Sequence, residues 1–229
     1  MSNLLIGITA IVGTLAVYLF TWKLHKKIVS PLTLPIFLGS IIIIMILAVF
    51  DIPYDTYMVG GEWINQLLGP AVVALAYPLY MQRNLLKQLI VPILCGTITG
   101  STIGVASGIL LAGWSGVDDY IIYSLVPKSV TTPVSMIIAD SLGGVMSLAA
   151  VFVVIAGIGG VIMSPLVFKL FKVDHVIGRG VGMGSGSHAM GTAHSMEHSQ
   201  LEGSISSVAM VLSAIVVSFI APILVSLLM

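Results

Sequence analysis

Six stretches of twenty or more residues carry no charged side chain: 1–22, 28–50, 63–82, 88–117, 141–168 and 203–229. A helix needs about 20 predominantly apolar residues to cross a bilayer, and each stretch can supply one. Only 8% of the chain is charged, against about 25% in a soluble domain. The expectation is an all-α integral membrane protein, a single polytopic domain over residues 1–229 with about six spanning helices in contact with lipid. Nine acids cancel nine bases, so no bulk field points to nucleic acid. The first stretch lacks a basic leader and a small-residue cleavage pattern, which predicts a retained helix. The one cysteine, Cys95, lies in an apolar run and excludes an intrachain disulfide.

Charge sets the expected topology. Lys23, Lys26 and Lys27 follow the first span at residues 4–21, which by the positive-inside bias makes that turn cytoplasmic and the N-terminus external. A second span at 32–50 emerges at Asp51, Asp55 and Glu62, a loop without lysine or arginine that fits the outer side. Trp22, Trp63 and Trp114 fall at expected span ends, where amphipathic rings settle at the interface. Span four, 89–112, carries Gly96, Gly100 and Gly104 on one face, a spacing that lets backbones approach closely. Spans at 145–168 and 204–228 complete the set.

Three segments break the pattern, near 63–80, 120–140 and 178–200. In the middle one, Pro127 and Pro133 bracket Lys128, Ser129, Thr131 and Thr132. Backbone groups freed at membrane depth must be buried in protein or line a watery cavity, and a lysine there is costly enough to mark a site. If 120–139 crosses fully, Lys169, Lys172 and Arg179 land outside; if it dips in and returns, they land inside, as the charge bias prefers. Pro70 and Pro78 interrupt the first segment, whose Pro-x(n)-Pro-x-x-Met pattern parallels the second. Paired broken segments point to the binding site of a secondary transporter, with an inverted repeat as one reading and a simple kinked helix as the other. The third segment is too glycine-rich for a stable helix by propensity. It is read either as a flexible loop or as backbone N–H groups converging on an anion with Ser185, Ser187 and Thr192. The substrate-site residues expected are Lys128, Ser129, Thr131, Thr132, Pro70, Ser187, His188, Gly191 and Thr192.

Two motifs invite over-reading. His194-Ser-Met-Glu-His198 matches a zinc-protease pattern, but a catalytic zinc needs a third protein ligand and only His188 is near in sequence. The Gly180-x-Gly-x-Gly-x-Gly run lacks the Lys-Ser/Thr and the preceding strand of a phosphate loop. No cofactor, no metal and no enzyme activity is expected, since no nucleophile–base pair stands out.

Residues 68–80 (Leu-Gly-Pro-Ala-Val-Val-Ala-Leu-Ala-Tyr-Pro-Leu-Tyr), 127–133 (Pro-Lys-Ser-Val-Thr-Thr-Pro) and 187–193 (Ser-His-Ala-Met-Gly-Thr-Ala), then Glu202-Gly and Ser206-Ser, resemble the CidB/LrgB family. These are bacterial antiholin-like or murein-hydrolase-regulator membrane proteins. The resemblance covers nearly the whole chain. It implies a multi-pass protein of the bacterial plasma membrane, a small holin-like partner of LrgA/CidA type, and a link to control of autolysis. Relatives are implicated in pyruvate uptake and, in plastids, glycolate/glycerate exchange. The chain departs from the family pattern at His194, where a basic residue is more usual after Gly-Thr-Ala. Two classes of function therefore stand: transport of a small organic anion together with the holin-like partner, and restraint of a holin-like pore without transport. A homo-oligomer is expected in either case.

Overall fold

Helices and the turns between them account for the chain wherever its structure is described. The computed structural model describes residues 3–28, 33, 35–67, 70, 73–74, 76–81 and 83–229. The helices are α1 (Asn3–Lys27), α2 (Pro35–Val49), α3 (Tyr54–Gln66), α4 (Ala76–Met81), α5 (Arg83–Gln88), α6 (Ile90–Trp114), α7 (Asp119–Leu125), α8 (Thr132–Leu142), α9 (Met146–Leu170), α10 (Val176–His198) and α11 (Gln200–Leu228). Among the described residues, α1, α6, α9 and α11 are long and apolar enough to cross a membrane, and shorter apolar helices lie at Phe37–Val49 and Thr132–Leu142. The chain is an all-α, multi-pass membrane protein.

Packing divides it into two units, Met1–Ala76 and Tyr77–Met229. In the first, α1 packs on α2 and α3, and Gly60 lets α3 approach the Gly7 carbonyl of α1 so closely that any side chain there would collide. Thr14 Oγ1 and Tyr57 OH join the same pair at 3.0 Å. The acidic loop expected after α2 is in fact largely α3: Asp55 and Glu62 are helical, and Trp63 sits inside that helix, not at the end of a span. Propensity in 54–66 was outweighed, in the sequence reading, by its charges. Pro70 is helical and exposed in this unit. Residues 68, 69, 71, 72 and 75 of the 63–80 segment, and with them its likeness to 120–140, lie outside the described residues.

The second unit repeats one plan. A 25-residue helix, α6, is followed by the broken segment 119–142, and a second 25-residue helix, α9, is followed by the broken segment 176–198. Both broken segments are helical hairpins. In the first, Val126 to Val130 continue as tight turns, Lys128 N–H bonding Leu125 O at 3.0 Å and Val130 N–H bonding Pro127 O at 3.2 Å. Thr131 is extended (φ −66°, ψ 148°), and α8 starts with Pro133 in its first turn, where the missing N–H costs nothing. The chain then returns: Gly143 (φ 89°) ends α8, with Gly143 N–H on Asp140 O and Gly144 N–H on Ala139 O, the paired bonds of a Schellman stop. Val145 N–H donates to Ser124 Oγ at 2.8 Å, which brings the exit of α8 back beside the last turn of α7. The segment thus turns back on itself, with α8 packed beside α7.

The glycine-rich segment is helical too, contrary to expectation. Helical geometry runs from Val176 and is broken only at His188 (φ 44°, ψ −131°). The chain reverses there, because Gly191 comes to rest on Met183 O and Ser187 Cβ. Each glycine costs a helix about 1 kcal/mol relative to alanine, but here the missing side chains are what permit packing. Gly180 lies against Glu202 O and Ile205, and Gly184 against Ser206 O and Ala209, all on α11. Small residues at four-residue spacing bring membrane helices into backbone contact, and α10 makes its most extensive packing with α11.

The two hairpins enter from opposite ends. At the mouth of the first, a groove of about 760 Å³ is lined by Trp114, Val117, Asp119 and Ile122 together with Leu228 and Met229 from the end of α11. At the mouth of the second, a cavity of about 100 Å³ is lined by Ser164 and Phe168 of α9, by Arg179, His194 and His198, and by Glu202 from the start of α11. Helix α11 thus spans from one mouth to the other.

Candidate functional site

Helix α6 meets the entering arm of the second hairpin and the tip of the first. Its glycines recur every four residues, from Gly96 through Gly100 and Gly104 to Gly108. A methyl group on Gly96 would lie 3.1 Å from Val181 Cγ1, and one on Gly100 would lie 3.3 Å from Ser185 Oγ, so this half of the stripe receives the second hairpin. One turn on, Lys128 Nζ of the first hairpin donates to Gly104 O at 3.1 Å. A methyl on Gly108 would come within 2.6 Å of that ammonium. The entering arm of the second hairpin and the lysine of the first therefore meet adjacent turns of α6, about 5.4 Å apart along its axis, while Ser187 and His188 lie against Gly160 and Gly157 of α9.

At the first tip, Val126 and Val130 are each 1% exposed. They pack with Val105 and Ile109 of α6, Ile122 and Ile138 of the hairpin arms, and Val217 and Ala221 of α11. This apolar seat fixes the turn and leaves Lys128, Ser129, Thr131 and Thr132 half-buried around it. Among the described residues no carboxylate lies within ion-pair distance of Lys128. The hydrogen-bond acceptor of its ammonium is the Gly104 carbonyl.

The second tip is denser. His188 is 3% exposed, and its Nε2 lies 3.0 Å from Val153 O of α9. Gly157 makes room for the imidazole and Gly160 for the Ser187 hydroxyl. Thr192 Oγ1 donates to His188 O and meets Ser206 Oγ of α11, both at 2.9 Å. The conformation of His188 is one that non-glycine residues hold only when their surroundings over-determine it, at a cost of about 1–3 kcal/mol. Buried hydroxyls continue between the tips: Ser101 Oγ and Ser213 Oγ pair at 2.9 Å, while Thr97 and Ser135 are buried without a hydrogen-bond partner.

The structure thus gathers Ser187, His188, Gly191 and Thr192 at one tip and Lys128, Ser129, Thr131 and Thr132 at the other. Pro70 belongs to the other unit. His194 and His198 stack with ring centroids 4.5 Å apart, and among the described residues no three His, Cys, Asp or Glu side chains are grouped to hold a metal.

The chain matches the LrgB-like family over residues 14–227. Relatives of known name agree with that match. "Uncharacterized protein YxaC" of Bacillus subtilis is 45% identical over 98% of both chains, and "Uncharacterized protein YwbG" of the same organism is 37% identical over 96% of this chain and 98% of its own. "Holin-like protein CidB" of Staphylococcus aureus is 32% identical over 98% of both. This chain belongs to the LrgB-like family. No solved structure matches it. As an LrgB-like protein it is a multi-pass membrane protein of bacterial type.

Several residues of the second unit carry structural roles that their local sequence does not signal. Gly108 simply extends the four-residue glycine series. Ser101 and Ser213 are separated by over a hundred positions, and no local signal joins them. Ser199-x-x-Glu202 fits the capping-box pattern and marks the start of α11 between the second hairpin and the last span.

Proposed function

We propose that this LrgB-like protein is the carrier subunit for a small organic anion, a monocarboxylate of pyruvate or glycolate type, working with a small holin-like partner of LrgA/CidA type. The observation that carries the reading is Lys128. Its ammonium is held at the tip of a re-entrant hairpin, bonded to a carbonyl and unpaired with any described carboxylate. Opposed broken helices with a site between their tips are the design of many secondary transporters, where half-helix N-termini add positive field for an anionic substrate. Here α8 begins beside Thr131 and Thr132, and the returning arm of α10 begins at His188. Lys128 supplies charge, the hydroxyls of Ser129, Thr131 and Thr132 supply hydrogen bonds, and Ser187, His188, Gly191 and Thr192 complete the opposite wall.

The test is uptake of radiolabelled pyruvate and of glycolate into proteoliposomes, with and without the holin-like partner. Saturable uptake of either supports the carrier. The second reading rests on a name, since a relative covering nearly the whole chain is called a holin-like protein. Under it the hairpins are packing surfaces of an antiholin-like regulator of murein hydrolase export and autolysis. It predicts no flux with either solute in any combination, and altered autolysis in a strain lacking the gene.

A further inference from the structure

The mouth of the second hairpin holds a charge pair that neither tip uses. Glu202, in the first turn of α11, has a side chain only 7% exposed, and its Oε2 lies 3.4 Å from Nε of Arg179 on the entering arm. The contact is an ion pair without hydrogen-bond alignment, since Arg179 Nε is buried with no hydrogen-bond partner. Ser199 and Glu202 stand at the spacing of a capping box, in which the glutamate would turn back to the Ser199 N–H. That N–H is already taken by Ser195 O at 2.9 Å. The carboxylate instead faces Arg179 across the cavity of about 100 Å³, room for about three waters at ~30 Å³ each.

Every element packed against Glu202 can be inspected for charge. Arg179 comes from the entering arm, and His194 and His198 from the returning arm. Helix α9 presents Ser164, Pro165 and Phe168, none of them titratable. Helix α6 contributes Ile93 to the apolar cluster that seats Ile205 below. One buried carboxylate, one half-exposed guanidinium and two imidazoles thus line one small cavity. A structural cap would need neither the cavity nor the imidazoles.

We infer that Glu202 binds the coupling proton of the transport cycle, with Arg179 as the counter-charge that stabilises it when the proton has left. This rests on the carrier reading above. A monovalent anion entering alone would work against an inside-negative membrane potential, and a proton carried with it removes that charge. The step is a single protonation: a proton from the water in the cavity adds to a carboxylate oxygen, the ion pair with Arg179 is lost, and the reverse step releases the proton. The cavity and its imidazoles give the path to the carboxylate.

The experiment reconstitutes the full chain with its holin-like partner and follows labelled pyruvate in two ways: accumulation driven by an inside-alkaline pH gradient, and exchange against internal unlabelled pyruvate with no gradient. Wild type is expected to do both. Glu202→Gln, near-isosteric and uncharged, should lose accumulation to the level of empty vesicles and keep exchange at the wild-type rate. The inference is overturned by gradient-driven accumulation in Glu202→Gln, by loss of exchange along with accumulation, or by wild-type accumulation that does not respond to the pH gradient. Wild type showing neither activity sinks the carrier reading itself, and this assignment with it.

Discussion

The two hairpins reach the same helix by different chemistry. The first is broken by proline: Pro127 and Pro133 leave a turn that needs no unusual backbone, and its tip is seated by Val126 and Val130 in an apolar cluster. The second is broken by a single residue, His188, in a conformation that glycine would hold more easily, and its arms are seated by the absence of side chains at Gly180, Gly184 and Gly191. The first tip keeps its polar groups half-buried with a loosely satisfied lysine. The second buries its polar groups almost completely and ties His188 to α9 and Thr192 to α11. The difference argues for a division of labour, with substrate charge handled at the loose tip and shape fixed at the dense one.

The largest test of this comparison is whether the mouths face opposite sides. With Cys95 replaced by alanine, Asp118→Cys at the first mouth should label with an impermeant maleimide from outside, and Asp174→Cys at the second only from inside, since Lys169, Lys172 and Arg179 cluster there. Labelling of both from one side would break the opposed-hairpin description.

Next in size is Lys128→Met, which keeps the length of the stem and removes the charge. Pyruvate uptake should fall to background while membrane insertion and thermal stability stay near wild type. Normal uptake in this variant would move the site to the Ser187–Thr192 tip.

His188 separates strain from contact. Both His188→Gly and His188→Ala lose the bond to Val153, but only glycine relieves the positive φ. The glycine variant should therefore unfold later in a detergent melt, by the equivalent of about 1–3 kcal/mol. An alanine variant as stable as glycine would mean the backbone at this position is unstrained. Smallest of all, Thr131→Val and Thr132→Val should each weaken pyruvate binding by about 0.5–1.5 kcal/mol, one neutral hydrogen bond apiece. Effects as large as that of Lys128→Met would put the hydroxyls, not the ammonium, at the centre of recognition.

Why one hairpin was legible in the sequence and the other was not follows from the same contrast. Two prolines and a lysine in an apolar run are local signals, and they placed the break and the return of 119–142. The second hairpin is written in glycine, which helix propensities measured in water score as a breaker; its helicity comes from close contact with Ser206 and Ala209, residues far enough away that no local window joins them. The reversal at His188 had no signal, because positive φ is ordinarily assigned to glycine and six glycines stood nearby as better candidates. The long helices α6, α9 and α11 were visible from apolar length alone. Helix α3 was not, because its charges resemble those of a loop.

Cys95 is the chain's one thiol, and it is exposed on α6 beside the glycine that receives Val181 of the second hairpin. A trifluoromethyl tag on that native sulfur would give a single fluorine resonance without any engineered cysteine. Its chemical shift would report the environment of α6 beside the entering arm of α10. Titrating pyruvate into the tagged protein would then show whether the arm holds one position or exchanges between two.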